Sequence, residues 1–342
     1  MPSSPESYCT IEQQVNLERL LLSKDVRVIE KRGGGNSLVY CVETEGKKYA
    51  VKSYPPYSPD QRDRLAAELS AYQFFNHHGF SNVPRLRTYC ERTRWLIIDW
   101  IDGCILDNYA PADIEQAIGF IRKIAELNQS ENTAQLPKAA EACLSLTTLI
   151  KQIEQRVQRL LTESSQEKPL VAFLSDDFMP IFKQCRQRAI DGYAANHFSI
   201  DTELPSAFRS LIPADFGLHN MIRDKNAQLH FFDFDYFGWD DPVKLLSDIL
   251  WHPKAHLSEQ QKKQFIDGIA TIYDNDPFFF PRFHYNWSLF GLRWVLILLN
   301  EFIPKFWQNR QHALMCNHQM EAKNTQLQRA KVMLAQVAQT GC

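Results

Sequence analysis

Asp215, Asn220 and Asp233 stand five and then thirteen positions apart in the segment 213–235, PADFGLHNMIRDKNAQLHFFDFD. A carboxylate that aligns an attacking hydroxyl, with an amide and a second carboxylate to hold Mg²⁺, is the set that phosphoryl transfer requires. Each residue has a plainer reading when taken singly. Asp215 would serve as an N-cap or turn residue, and Asn220 as a turn residue. Asp233 is harder to explain that way, because it sits among five aromatics in Phe231-Phe232-Asp233-Phe234-Asp235-Tyr236-Phe237. An acid buried there needs compensation, and a divalent cation would supply it.

The five-residue step matches the kinase catalytic loop H-R-D-L-x-x-x-N, which also has a metal-binding Asp downstream. Asp215-Phe216-Gly217 spells the D-F-G of such proteins. That spelling is coincidental, because residues 196–214 offer Asp201 as the only Asp upstream and no Asn follows it in register. The metal role therefore goes to Asp233, with Asp235 as a second metal ligand or substrate contact.

Upstream, Gly33-Gly34-Gly35-Asn36-Ser37 lies between two strand-like runs. Glycines there allow positive φ and bring backbone N–H groups close to phosphate oxygens, although a Gly-rich hairpin is more often only a turn. Gly33, Gly35, Asn36 and Ser37 are the candidate phosphate contacts. Lys52, in Tyr49-Ala50-Val51-Lys52, is close to the V-A-I-K lysine that grips the α- and β-phosphates. In isolation it could snorkel to solvent. Its place one strand after the glycines and one helix before Glu68 shifts the balance, since Glu68 could pair with it. The backbone from Ile98 to Trp100 would receive the adenine.

Those residues need elements to position them. Alternating, β-branched runs predict strands in RVIEKR, LVYCVETEG, KKYAVKSY, VPRLRTYCE and TRWLIIDW, with helices over 11–24 and 60–75, the latter with Asp60 as N-cap. Beyond Ile101 the pattern is mainly helical, over 112–128, 138–164, 173–196, 243–251, 258–274, 287–307 and 319–339. Short strands at 221–223 and 229–234 flank the signature. The expected organisation is α+β in two lobes, 1–100 binding nucleotide and 101–342 carrying the catalytic loop and substrate cleft.

Composition frames this reading. At 342 residues two lobes are the natural expectation, and 38 basic against 40 acidic residues give no basic field for nucleic acid. Eight scattered cysteines without a C-x-x-C pair suit reduced thiols in a cytoplasmic protein. MPSSPESYCTIEQQ has neither a basic n-region nor an apolar h-region, so no signal peptide is expected. The most apolar run, 287–302, is interrupted by Arg293 and predicts a buried helix, with no membrane partner expected.

From Ile212 to Asp248 the chain resembles the aminoglycoside phosphotransferase family, which includes choline, ethanolamine, homoserine and methylthioribose kinases. Asp215 and Asn220 fall on that family's H-G-D-x-x-x-x-N, Phe232-Asp233-Phe234-Asp235 on I-D-W/F-E/D, and Asp241-Pro242 on G-D-P. Two departures stand out. Pro213-Ala214 replaces the His-Gly before the catalytic Asp, and His219 is out of register, so support for the loop is expected from elsewhere. Asp248 lies seven residues after Asp241 and could anchor the catalytic loop.

The resemblance implies a protein-kinase-like fold and Mg²⁺-dependent transfer from ATP, or from GTP, to a small-molecule hydroxyl. For the acceptor side, Trp239, Arg293 and Glu301 are the candidates, with Trp251 and Trp294 nearby. A structural ion pair is the favoured reading of Arg293. Protein kinase activity is disfavoured, because fifteen residues from Asp233 to Asp248 leave no room for an activation segment. The rival classes are a glycosyltransferase using Asp233-Phe234-Asp235 as a D-x-D motif, and a silent nucleotide-binding regulator.

Overall fold

The computed structural model describes residues 10–33, 37–55, 62–130, 133–307 and 319–340. The chain divides into two compact units. Residues 10–105 and 220–235 form the described part of one, and residues 106–219, 236–307 and 319–340 that of the other.

The first unit is built on a five-stranded antiparallel sheet: β1 (Arg27–Gly33), β2 (Leu38–Thr44), β3 (Lys47–Ser53), β4 (Leu86–Cys90) and β5 (Trp95–Asp99), in the order β1-β2-β3-β5-β4. Helix α1 (Ile11–Leu21) starts from a capping box in which Thr10 and Gln13 satisfy each other's backbone N–H. Its Leu17 joins Val26, Tyr40, Val42, Val51, Trp95 and Ile97 in the core on one face of the sheet. Because strand side chains alternate, Val51 on that face sends Lys52 to the other. Helix α2 (Arg64–His77) is capped by Asp63, not by Asp60, which lies outside the described residues. A second, three-stranded sheet orders β6 (Cys104–Ile105), β8 (Met221–Arg223) and β9 (Leu229–Phe231) as β6-β8-β9.

The second unit is mainly helical: α3 (Pro111–Glu126), α4 (Leu146–Glu163), α5 (Lys168–Ala172), α6 (Met179–Ala195), α7 (Pro242–Trp251), α8 (Glu259–Ile272), α9 (Phe279–Leu298) and α10 (Gln319–Gln339). A π-helical stretch, Phe173–Phe178, joins α5 to α6. Helix α9 is largely buried and packs against α4, α6, α7 and α10. Gly291 gives it close approach to α7, since a Cβ there would stand 2.8 Å from the Trp251 ring. A short antiparallel pair, β7 (Ser210–Ile212) with β10 (Gly238–Asp240), flanks residues 213–237.

Three expectations are corrected here. Residues 138–145 are not helical, because their backbone bonds elsewhere: Ala139 N–H to the Trp239 carbonyl at 2.9 Å, and Cys143 N–H to Asp240 Oδ1 at 2.8 Å. Helix α9 begins eight residues earlier than expected, with Pro281 tolerated in its first turn. Cys185 is disulfide-bonded, against the expectation of eight reduced thiols. Among the described residues no helix is long and apolar enough to cross a membrane.

Candidate active site

In the first unit, Lys52 projects from β3 toward α2. Its ammonium lies 2.6 Å from both Glu68 oxygens and 2.5 Å from Asp233 Oδ1. Residues four apart share a helix face, so Arg64 stands one turn before Glu68, and its guanidinium is ion-paired with Asp235. Glu68 Oε1 also accepts the Phe234 backbone N–H at 3.2 Å. The Phe234 ring packs at 4.5 Å from Phe75 and 5.6 Å from Tyr72, both on α2. Helix α2 thus grips the D-F-D segment by charge at 235 and by a hydrogen bond and aromatic packing at 234, while Lys52 of β3 holds 233.

Glu68, Asp233 and Asp235 meet Lys52 and Arg64 there, and burial makes the mutual repulsion of the acids felt. Burial, opposed by Lys52 and reinforced by Asp233 and Asp235, pushes the Glu68 carboxyl up to about 8. Burial and the Asp233 charge push Asp235 up to about 7 against the pull of Arg64. Burial works against the Lys52 ammonium too, but Asp233 and Glu68 outweigh it and hold its pKa above the ordinary value. The acids repel one another across this cluster, and Asp233 keeps a third of its side chain exposed (33%). An exposed carboxylate in an acid-rich cluster is a hard-oxygen donor set that fits Mg²⁺. Asp233 itself sits in left-handed backbone at φ 68°.

Asn220 is buried just before β8, and its backbone carbonyl accepts the Phe232 N–H at 3.2 Å, tying it to the residue before Asp233. Gly33 pairs with Leu38 across the β1–β2 turn, Ser37 precedes β2, and Gly35 and Asn36 lie outside the described residues. Ile98 is held between Ala50 and Leu86 in the sheet. The Trp100 N–H is donated to the Lys48 carbonyl at 3.3 Å, so it could serve adenine only by giving up that bond.

Asp215 belongs to the second unit. It is the central residue of a γ-turn, with the Phe216 N–H donated to the Ala214 carbonyl at 2.6 Å. Ala214, where the resembled family has Gly, is left-handed at φ 60°. His219 was expected to be out of register for bracing, but one turn of 3₁₀ helix (Leu218–Asn220) brings its Nε2 to 3.5 Å from Asp215 Oδ2. His252 stacks on His219 at 5.0 Å between ring centroids. Burial would raise the Asp215 pKa, but His219, His252 and Lys254 together outweigh it and hold the carboxyl below its ordinary value. Asp215 is therefore ionised at neutral pH, as a hydroxyl-aligning group must be.

The remaining candidates have structural partners. Arg293 lies 3.3 Å from Asp248 Oδ2, whose carboxylate also takes Lys244 at 3.1 Å and the Trp294 indole N–H at 2.9 Å. Asp248 is thus committed to helix packing. Trp239 donates its indole N–H to the Thr133 carbonyl at 3.0 Å, and Trp251 to Trp287 at 3.0 Å. Glu301 is buried in the 3₁₀ turn Leu299–Phe302. Sequence reasoning missed Arg64 and His252. Arg64 carried a faint signal, its i,i+4 spacing to Glu68.

A model of the phosphotransferase enzyme family matches residues 28–278. The chain belongs to that family. The membership makes it a phosphotransferase acting on a hydroxyl and sets aside the glycosyltransferase and silent-regulator readings. Solved structures share its protein-kinase-like fold. Spectinomycin phosphotransferase APH(9)-Ia, in complex with ADP and spectinomycin, superposes with a TM-score of 0.58 at 12% identity, over 90% of this chain and 92% of that one. The choline kinase LicA from Streptococcus pneumoniae gives 0.54 at 15% identity over 94% and 97%. A Plasmodium vivax ethanolamine kinase gives 0.56 at 13% over 98% and 93%. No curated protein matches the chain.

Proposed function

We propose that this phosphotransferase moves the γ-phosphoryl group of ATP to a hydroxyl of a small amino alcohol, sugar or aminoglycoside-like molecule. The observation that carries the reading is Lys52 held between Glu68 and Asp233. An ammonium so fixed can grip phosphate oxygens without first losing side-chain freedom. Asp233 and Asn220 would hold Mg²⁺, which would supply neutralisation of phosphate charge. In this reading Gly33 and Ser37 serve the phosphate side, and the backbone at 98–100 takes the base. Asp215 orients the acceptor hydroxyl and takes its proton late in the transfer. The relatives named for spectinomycin, choline and ethanolamine, one of them holding ADP, support a nucleotide donor and a small acceptor.

The test is acceptor-dependent ADP release from Mg·ATP across amino alcohols, sugars and aminoglycosides. Asp215→Ala should lower kcat by orders of magnitude, roughly 10²-fold or more, with nucleotide affinity little changed. Unchanged turnover in that variant removes Asp215 from the mechanism.

A further inference from the structure

The loop before Asp215 lacks the His-Gly of the resembled signature, yet the carboxylate is not left without a partner. His219 Nε2 stands 3.5 Å from Asp215 Oδ2, at the outer edge of hydrogen-bonding distance. Such contacts in ligand-free sites are often long and tighten in the working complex. The other ring nitrogen, Nδ1, is buried with no hydrogen-bond partner among the described residues. A neutral ring has one N–H to place, and Nε2 is where it finds an acceptor. That edge of the ring is also closely packed: a Cβ at Gly217 would stand 2.7 Å from His219 Cε1 and Nδ1.

Behind His219 lies a built support. The His252 ring stacks on it at 5.0 Å and 22°. His252 Nδ1 accepts the Lys254 backbone N–H at 3.2 Å, which fixes the ring's orientation and leaves its own proton on Nε2. Burial first, with the neighbouring charges of His219 and Lys254 and against the pull of Asp215, pushes the His252 pKa down to about 4, so His252 itself is neutral in the physiological range. Trp294 then meets His252 edge-on at 4.9 Å and 76°, and its indole N–H is anchored on Asp248 at 2.9 Å. The side chains of Asp215, His219 and His252 bring candidate metal-ligand atoms within 4.8 Å of one another. A metal would have to displace the Lys254 amide from His252 or strip the proton from its other nitrogen, so the arrangement fits a brace better than an ion site.

The geometry points to His219, backed by His252, as the positioning residue that aims the Asp215 carboxylate in place of the missing His-Gly. This rests on the phosphotransfer role given to Asp215 above. The bracing lies wholly within one unit and joins residues 33 apart in sequence (252 − 219 = 33), which is why spacing did not reveal it.

The experiment measures Mg·ATP hydrolysis to water in the full chain, alongside ¹⁵N imidazole spectra. His219→Ala should lower kcat roughly 10- to 100-fold with KM for ATP within about twofold, the penalty for a misaimed group. His219→Gln keeps an N–H at similar reach and should recover most of that loss, as His252→Phe should by keeping the stack. Gly217→Ala, which crowds the ring without touching its chemistry, should fall in the same direction as His219→Ala. In the spectra His219 should show the Nε2–H tautomer and lose that pattern in Asp215→Asn. Wild-type kcat in His219→Ala, failure of Gln to outperform Ala, or a His219 spectrum indifferent to Asp215→Asn overturns the proposal. If instead Asp215→Ala hydrolyses ATP normally, the reading of Asp215 itself has failed, whatever His219 does.

Discussion

Lys52 and Glu68 are joined twice, the ammonium standing 2.6 Å from each carboxylate oxygen with both side chains buried. Such a pair is poor evidence of net stabilisation, because desolvating both charges offsets their attraction, whereas breaking it leaves one charge stranded. Lys52→Met should therefore destabilise the protein by about 3–5 kcal/mol in urea unfolding. Adding Glu68→Gln should recover a large part of this by removing the stranded acid. Phosphotransfer should stay depressed by about 10²-fold or more in both variants, because the phosphate grip is gone in each. A double variant no more stable than Lys52→Met alone would argue that Glu68 is satisfied without its lysine.

The raised carboxyls of Glu68 and Asp235 set a pH dependence. Their folded-state values, about 8 and about 7, lie above ordinary carboxylate values. Protonation therefore favours the folded state, and the contribution is lost as pH rises through 7 to 8. A divalent cation on Asp233 offsets the repulsion among the acids and draws both values down, so binding releases protons. The thermal shift produced by Mg·ADP should be larger at pH 8 than at pH 6, with proton release visible as a buffer-dependent calorimetric enthalpy. A shift independent of pH would mean the cation does not act on this cluster.

Ala214 occupies left-handed backbone at φ 60° while buried at 3% exposure. The left-handed conformation costs a residue with a Cβ about 1–2 kcal/mol. Glycine would relieve that strain, but it loses a buried methyl worth about 0.8 kcal/mol and more unfolded-state entropy. The terms nearly cancel. Ala214→Gly should change stability by no more than about 0.5 kcal/mol, whereas an ordinary buried Ala→Gly loses both terms. Loss of more than about 1.5 kcal/mol would show that the methyl matters more than the strain.

The strands around Lys52 were legible because short apolar runs rich in β-branched and aromatic residues, Tyr49–Val51 and Trp95–Ile98, stand between polar turn segments, and 221–223 was read to the residue. Strands β7 and β10 were not, because each is three residues long and its partner lies on the far side of the signature, with no hairpin turn joining them. Residues 138–145 have helix-compatible composition, and only pairing with residues 236–240 across the fold overrides it. The ionic partners divide similarly. Glu68 follows from its place one helix after Lys52. Arg64, paired with an acid 171 positions away, reads in one dimension as a solvated helix residue.

Arg282 shows how the second unit holds the helix that carries His252 at its end. Its Nε and Nη2 donate to the two Asp241 oxygens at 2.9 and 3.0 Å, and Nη2 also reaches Asp276 at 2.8 Å. All three residues are buried. Asp241 at the same time caps α7, accepting the Val243 N–H at 2.9 Å, so the guanidinium fixes the cap that starts the helix ending beside His252. A planar fork can serve two carboxylates at once, and an ammonium cannot match that geometry. Arg282→Ala should cost about 3–5 kcal/mol, since it leaves two acids buried against each other. Arg282→Lys restores charge without the fork and should still lose about 1–2 kcal/mol. If the clamp also sets the register of α7, Arg282→Lys should lower kcat more than it raises KM for ATP, because His252 moves and the aim of Asp215 with it. Urea unfolding and steady-state kinetics on the same two variants decide this. Full activity in a destabilised Arg282→Lys would confine the clamp to folding.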